Sequence, residues 1–263
     1  MSPFIIAIIL SAALLHAIWN AIVKTAADRT TTLGLVALGQ VLPGLVMIIW
    51  LPLPSMQSAL YIMVSTIVHF GYYYLLGRAY QHGGLSVVYP IARGIVPALV
   101  SLWAFILLGE VLSLRVWIGI GLITTGIILS NWGALRSGIG KTALLLSLGT
   151  GFFISIYSLV DGVGVRLSGN TLSYWAWGAF LHIFIAGFIG WRKRSTLSRL
   201  PLNVWLVGIA GGMVSIIAYG LVLYAKNFAP LGAVSALRET SVIFATLIGF
   251  ILLKEGNWKR RLG

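Results

Sequence analysis

The chain has 263 residues, 59% of them hydrophobic and 9% charged, with a mean hydropathy of +0.99 and a formal net charge of +13. This composition excludes a soluble domain of such length and defines an integral membrane protein. The lack of cysteine excludes disulfides and thiolate metal sites, and basic residues placed mostly in short connectors between apolar runs argue for membrane topology and against nucleic-acid binding.

A membrane-crossing helix needs about 20 predominantly apolar residues. Nine runs meet this in chain order: about 3–23, 33–51, 57–78, 84–108, 115–133, 141–161, 172–191, 203–224 and 230–253. The first has no basic lead-in and no small-residue cleavage site before Lys24, so it reads as a retained helix and not as a signal peptide. Connectors carry the proline, glycine and charge, as at Leu51-Pro52-Leu53-Pro54 and Arg192-Lys193-Arg194. The runs are continuously apolar, which favours helices over the alternating strands of a barrel. Gly208 and Gly212 in the eighth run have the spacing that lets helices approach closely.

The fourth and ninth runs repeat each other. Ser101-Leu102-Trp103-Ala104-Phe105-Ile106-Leu107-Leu108-Gly109-Glu110 aligns without a gap on Thr246-Leu247-Ile248-Gly249-Phe250-Ile251-Leu252-Leu253-Lys254-Glu255, and the same offset of 145 aligns Arg93 with Arg238. The chain therefore divides into two units, 1–135 and 140–263. In the first, a fifth helix follows Glu110. The offset places its counterpart at about 260–277, so the expectation is a second unit whose tenth helix is missing from this chain. Five spans per unit is an odd number, so the units insert with opposite orientation as an inverted repeat. Of the 18 Lys and Arg, thirteen fall on odd-numbered connectors and the tail, three (Arg115, Arg166 and Lys226) on even-numbered ones, and Arg93 and Arg238 lie within spans. The positive-inside rule then puts the odd connectors in the cytoplasm and the N-terminus outside.

The stretches His16-Ala17-Ile18-Trp19-Asn20, Ser86-Val87-Val88-Tyr89-Pro90-Ile91-Ala92-Arg93-Gly94 and Ala236-Leu237-Arg238-Glu239-Thr240-Ser241 resemble the EamA-like transporters of the drug/metabolite transporter superfamily. The resemblance covers nearly the whole chain. It implies a ten-helix fold of two inverted five-helix repeats and transport of small metabolites, often export of amino acids or related compounds. Relatives are usually drawn with both termini cytoplasmic, opposite to the charge count.

Arg93 is the leading site candidate, because an arginine inside a span needs a wet cavity or a partner. Tyr89 stands one turn before it, and Pro90 removes a backbone donor. The expected role is to grip a substrate carboxylate or phosphate, the alternative being a tie between helices. Arg238 and Glu239 are adjacent and diverge around their helix. Glu239 either neutralises one of the arginines or titrates and couples transport to protons. His16, Trp19 and Asn20 share a helical face. An offset of 138 pairs Trp19 with Tyr157 and Asn20 with Ser158, so these groups either box a small ligand or serve as helix contacts. Asp161 is expected as a solvated loop acid, and His182, Trp175 and Trp177 as packed or interfacial. Glu110 and Glu255 suit pairing with basic connectors.

The expected function is a secondary transporter, an exporter of a small anionic or zwitterionic metabolite, in a bacterial inner membrane. Its partners would be the solute, the lipid bilayer and, through Glu239, protons; it would be a monomer or a homodimer. No cofactor, metal or catalytic residue is expected, since HExxH and GxSG are absent and only five residues are acidic. The alternative on the same fold is a flippase for a lipid-linked sugar or phosphate. A channel would need rings of repeated polar residues, which are lacking.

Overall fold

The computed structural model describes residues 1–26, 28–83, 85–130 and 139–251, and these are helical throughout their ordered elements. The elements are α1 (Pro3–Thr25), α2 (Arg29–Met47), α3 (Met56–His82), α4 (Leu85–Gly94), α5 (Val96–Leu108), α6 (Leu114–Ser130), α7 (Lys141–Leu167), α8 (Thr171–Leu181), α9 (Ile183–Arg192), the short α10 (Arg194–Leu197), α11 (Leu202–Lys226), α12 (Leu231–Arg238) and α13 (Ser241–Ile251). Seven stretches are long and apolar enough to cross a membrane: Pro3–Val23, Arg29–Met47, Met56–His82, Val87–Leu108, Lys141–Leu167, Thr171–Arg192 and Leu202–Lys226. The shorter α6 and the pair α12–α13 take the places of the fifth and ninth spans. Glu255 and the position of a tenth helix lie outside the described residues.

Side-chain caps decide several helix starts. Ser2, Ser55 and Asn170 each accept from the amide three residues on, and Pro3 stands first in α1. Asp28 does the same for α2, taking the Thr31 amide at 3.1 Å and the Thr31 hydroxyl at 2.6 Å. This cap moves the second helix to 29–47 from the expected 33–51. Asp28 also accepts from the Lys193 ammonium at 3.1 Å, tying the seventh connector to the first. Burial works against its charge, but the bonds from Thr31 and Lys193 outweigh that and hold the carboxyl below its ordinary value. A depressed carboxyl stabilises the fold above its unfolded pKa of about 4, and the contribution is lost as pH falls through the folded value. Asp28→Ala should lower stability by about 1 kcal/mol. Asp28→Asn, which still caps, should flatten the acid limb of a melting-temperature profile between about pH 5 and 3. An unchanged profile would remove the carboxylate from the account.

Three spans are broken. Pro97 cannot donate to the carbonyl of Arg93 four residues back, and the chain interrupts between α4 and α5 at Ile95. The α12–α13 break lacks a proline and runs through i→i−3 bonds, from Glu239 to Ala236 and from Thr240 to Leu237. His182 separates α8 from α9. Arg93 and Arg238 thus occupy the last turns of the first halves of the fourth and ninth spans.

Neighbour relations keep their pattern when the two units are exchanged. The third span packs on the sixth, as the first packs on the eighth; the first packs on the ninth, as the sixth packs on the fourth. The second and seventh pack on each other, as do the fourth and ninth. The second and eighth spans come close enough for backbone contact. A Cβ added at Gly39 would overlap the Ile209 carbonyl, and one at Gly212 the Val36 carbonyl, so the glycines are needed where these helices cross. Buried apolar side chains such as Trp19, Val36, Leu76 and Ile185 fill the space between spans, while Phe4, Ile67, Leu122 and Phe184 face outward as lipid contacts require.

Two expectations about chain ends are corrected. The sixth helix does not stop at Asp161 but runs to Leu167, and Asp161 is 3% exposed. The helix carries Gly162 and Gly164 within it and ends just before Gly169, which adopts φ 66°. Lys226, counted above as a connector charge, is 1% exposed at the end of α11, with its ammonium donating to the Ser158 carbonyl at 2.8 Å and hydroxyl at 3.1 Å.

Candidate functional site

The broken spans and α1, α3, α7 and α11 enclose a central cavity holding about 750 Å³ of atom-free space, open solvent at its mouth included. His16, Trp19, Asn20, Tyr89, Arg93, Tyr157 and Arg238 all line it. Glu239 lies behind Arg93, buried.

The first-span face is held from inside. The Trp19 indole donates to His16 Nδ1 at 3.0 Å. An indole N–H only donates, so His16 Nδ1 accepts, and the neutral ring presents its N–H from Nε2 to the Tyr89 hydroxyl at 3.1 Å. Asn20 donates its amide to the His16 carbonyl at 2.7 Å and lines the cavity. Trp19 and Tyr157, matched by the offset of 138, both face the space. Ser158, matched to Asn20, is engaged by Lys226 instead.

The two arginines differ in partnership. Arg93 is gripped by Glu239, Nε donating to Oε2 at 3.1 Å and a terminal nitrogen to Oε1. A planar guanidinium fork matches a carboxylate in this way, and both groups are withdrawn from water. Arg238 has no carboxylate within ion-pair distance among the described residues. Its guanidinium lies 5.6 Å from the centre of the Tyr219 ring. The Lys226 ammonium stands at 5.6 Å from the same ring, and the Tyr219 hydroxyl donates to Asp161. The Tyr174 hydroxyl supplies Asp161 with a second bond at 2.8 Å.

Several lining residues were not singled out from the sequence. Gln40 accepts from the Tyr73 hydroxyl at 3.0 Å and donates to Ser215 at 3.0 Å. His69 stacks on Tyr157 with ring centres 3.9 Å apart. His182, expected in packing, also borders the cavity, while Trp175 is packed and donates to the Ile216 carbonyl at 2.8 Å. The signal for Gln40, His69 and His182 was present: each is a polar group in the middle of an apolar span.

The two ends of the cavity are unlike. Val23, Leu33, Leu76 and Tyr80 extend the lining toward the ends of α1, α2 and α3 that carry odd-numbered connectors. At the opposite ends a polar junction closes four spans together. Arg166 at the end of α7 donates to Glu110 at 2.6 Å, to the Lys226 carbonyl at 2.8 Å and to the Ala229 carbonyl at 3.0 Å. Glu110, just beyond α5, accepts the Leu231 amide at the start of α12 at 2.8 Å.

A duplicated helical bundle with broken spans meeting at a polar cavity in the membrane defines a transport protein. The profile of the EamA-like transporter family matches residues 3–132 and 141–257. The chain belongs to that family, within the drug/metabolite transporter superfamily, and is a membrane transporter of that type. A solved structure titled "Crystal structure of protein" superposes with a TM-score of 0.74 over 100% of this chain and 92% of that one, at 16% identity, a likeness that shows the fold. No curated protein matches the chain.

Proposed function

We propose that the protein is a secondary active exporter of a small organic anion, working by alternating access in a bacterial inner membrane. The observation that carries this reading is Arg238, a buried guanidinium at the cavity wall without a carboxylate partner among the described residues. Of the charges that line the cavity, Arg93 is cancelled by Glu239 behind it and Arg238 is left over, lying against the Tyr219 ring. A solute with one net negative charge completes that balance, which favours an anion over a zwitterion. His16, Trp19, Asn20, Tyr89 and Tyr157 shape the walls, and the Arg93–Glu239 pair joins the two units behind the site.

The units 1–135 and 140–263 rock against each other, with odd-numbered connectors in the cytoplasm. The cavity then extends toward the cytoplasm while the Glu110–Arg166 junction holds the outer face shut. Glu239 couples the cycle to protons if solute binding loosens its hold on Arg93.

Flux of radiolabelled short-chain carboxylates into proteoliposomes, with and without a pH gradient, tests the assignment. Saturable uptake above empty vesicles is expected, with the gradient reporting proton coupling. Equal flux through empty vesicles would overturn the transport reading. Movement of a short-chain fluorescent phospholipid in place of carboxylate would favour the flippase.

A further inference from the structure

We infer that the transported anion carries a neutral hydrogen-bond donor, a hydroxyl, at the end away from its carboxylate, and that this end is seated in an annex formed by His69, His182 and Asp161. The inference rests on the anion reading above.

The annex is a second space, about 330 Å³ of atom-free volume with open solvent included, that shares His69, His182, Ile216 and Tyr219 with the central cavity. His69 Nδ1 bonds the Ser65 carbonyl at 2.9 Å, with the Ser65 hydroxyl oxygen also 3.1 Å away, and His182 Nδ1 bonds the Gly178 carbonyl at 2.8 Å. A carbonyl only accepts, so both rings hold a proton on Nδ1. The ring centres are 5.2 Å apart, and two imidazolium ions so placed would repel. In the neutral tautomer each Nε2 is therefore a bare acceptor. Among the described residues neither has a protein partner.

Asp161 also borders the annex and is an acceptor with capacity beyond its two tyrosine bonds. Most donors along the wall are already committed. The Tyr174 and Tyr219 hydroxyls go to Asp161, the Trp175 indole to the Ile216 carbonyl, and the Thr66 hydroxyl to the Ile62 carbonyl at 2.8 Å. Apart from the Ser65 hydroxyl, the annex thus offers lone pairs and needs protons from its occupant. Among the described residues no three imidazole or carboxylate groups converge closely enough to hold a metal ion. An ammonium would also donate, but the Lys226 ammonium and the Arg238 guanidinium already stand 5.6 Å from the Tyr219 ring beside the annex, so a neutral donor avoids crowding a third cation against them. Tyr219 joins the two subsites, its hydroxyl on Asp161 and its ring against Arg238, so the donor and the carboxylate belong at opposite ends of the solute.

Three matched probes separate the possibilities: hexanoate, 6-hydroxyhexanoate and 6-aminohexanoate, titrated into the purified full chain and followed by tryptophan fluorescence. One neutral hydrogen bond made in a buried site corresponds to about tenfold in affinity, so 6-hydroxyhexanoate should bind about tenfold more tightly than hexanoate. His182→Phe should close that gap, and His182→Gln, which keeps an acceptor, should preserve part of it if the protein is folded. Equal affinity for hexanoate and 6-hydroxyhexanoate, both weakened by Arg238→Gln, would remove the annex and leave the anion reading standing. Tightest binding by 6-aminohexanoate would overturn the neutral donor. Absence of binding, or binding indifferent to Arg238→Gln, would overturn the annex and the anion reading together.

Discussion

Arg93→Gln should destabilise the protein by about 3–5 kcal/mol, because it leaves the Glu239 carboxylate buried with its principal partner gone. Glu239→Gln should be harmful for the mirrored reason. The double variant should recover most of the loss, since two amides remain able to hydrogen-bond and no net charge is stranded. Thermal unfolding in detergent reads the cycle. If the two single losses simply add in the double variant, the pair is not coupled and its geometry has no energetic role. The same experiment separates two roles for Arg93. A pure substrate ligand would give a folded, inactive variant, whereas the paired geometry predicts a damaged fold.

Arg238→Gln should behave in the opposite way. It removes a buried cation that has no carboxylate partner among the described residues, so the melting temperature should hold or rise. Carboxylate flux in proteoliposomes should fall by about 100-fold, within the range for losing one partner of a buried, hydrogen-bonded charge pair. Arg238→Lys should retain part of the flux, because the charge remains while the planar fork is lost. Undiminished flux in Arg238→Gln would place the anion elsewhere, and a collapsed fold would make this arginine structural.

Much of the architecture was legible because hydropathy is local and cumulative. Most of the nine expected runs match the spans within a few residues, and the offset of 145 aligned Arg93 with Arg238, which stand at equivalent breaks in the structure. Pro90 marked the first of those helices as unusual. Ends were less legible, since a single cap such as Asp28 shifts a helix start by a turn without altering the mean hydropathy. Asp161 and Lys226 were misread for a related reason. A charge near the end of an apolar run looks like a connector residue unless its partners are known, and those partners lie far along the chain. Tyr219 is 58 positions from Asp161, Ser158 is 68 from Lys226, and Glu239 is 146 from Arg93. No periodicity encodes such pairings. The unequal fates of the two arginines followed only from which of them Glu239 could reach.

The Glu110–Arg166 junction has a further consequence for how strongly a solute must bind. The Arg166 side chain is 33% exposed and that of Glu110 is 15%, so water is at hand to replace each bond as the face parts. An ion pair in such a position contributes about 0–1 kcal/mol, unlike the sealed pair at Arg93. A ligand shifts a two-state balance only by the difference in its affinity for the two states, and about 1.4 kcal/mol of difference is a tenfold shift. The fastener on this face is therefore weak enough for a loosely held metabolite to undo, and a metabolite held loosely can also leave.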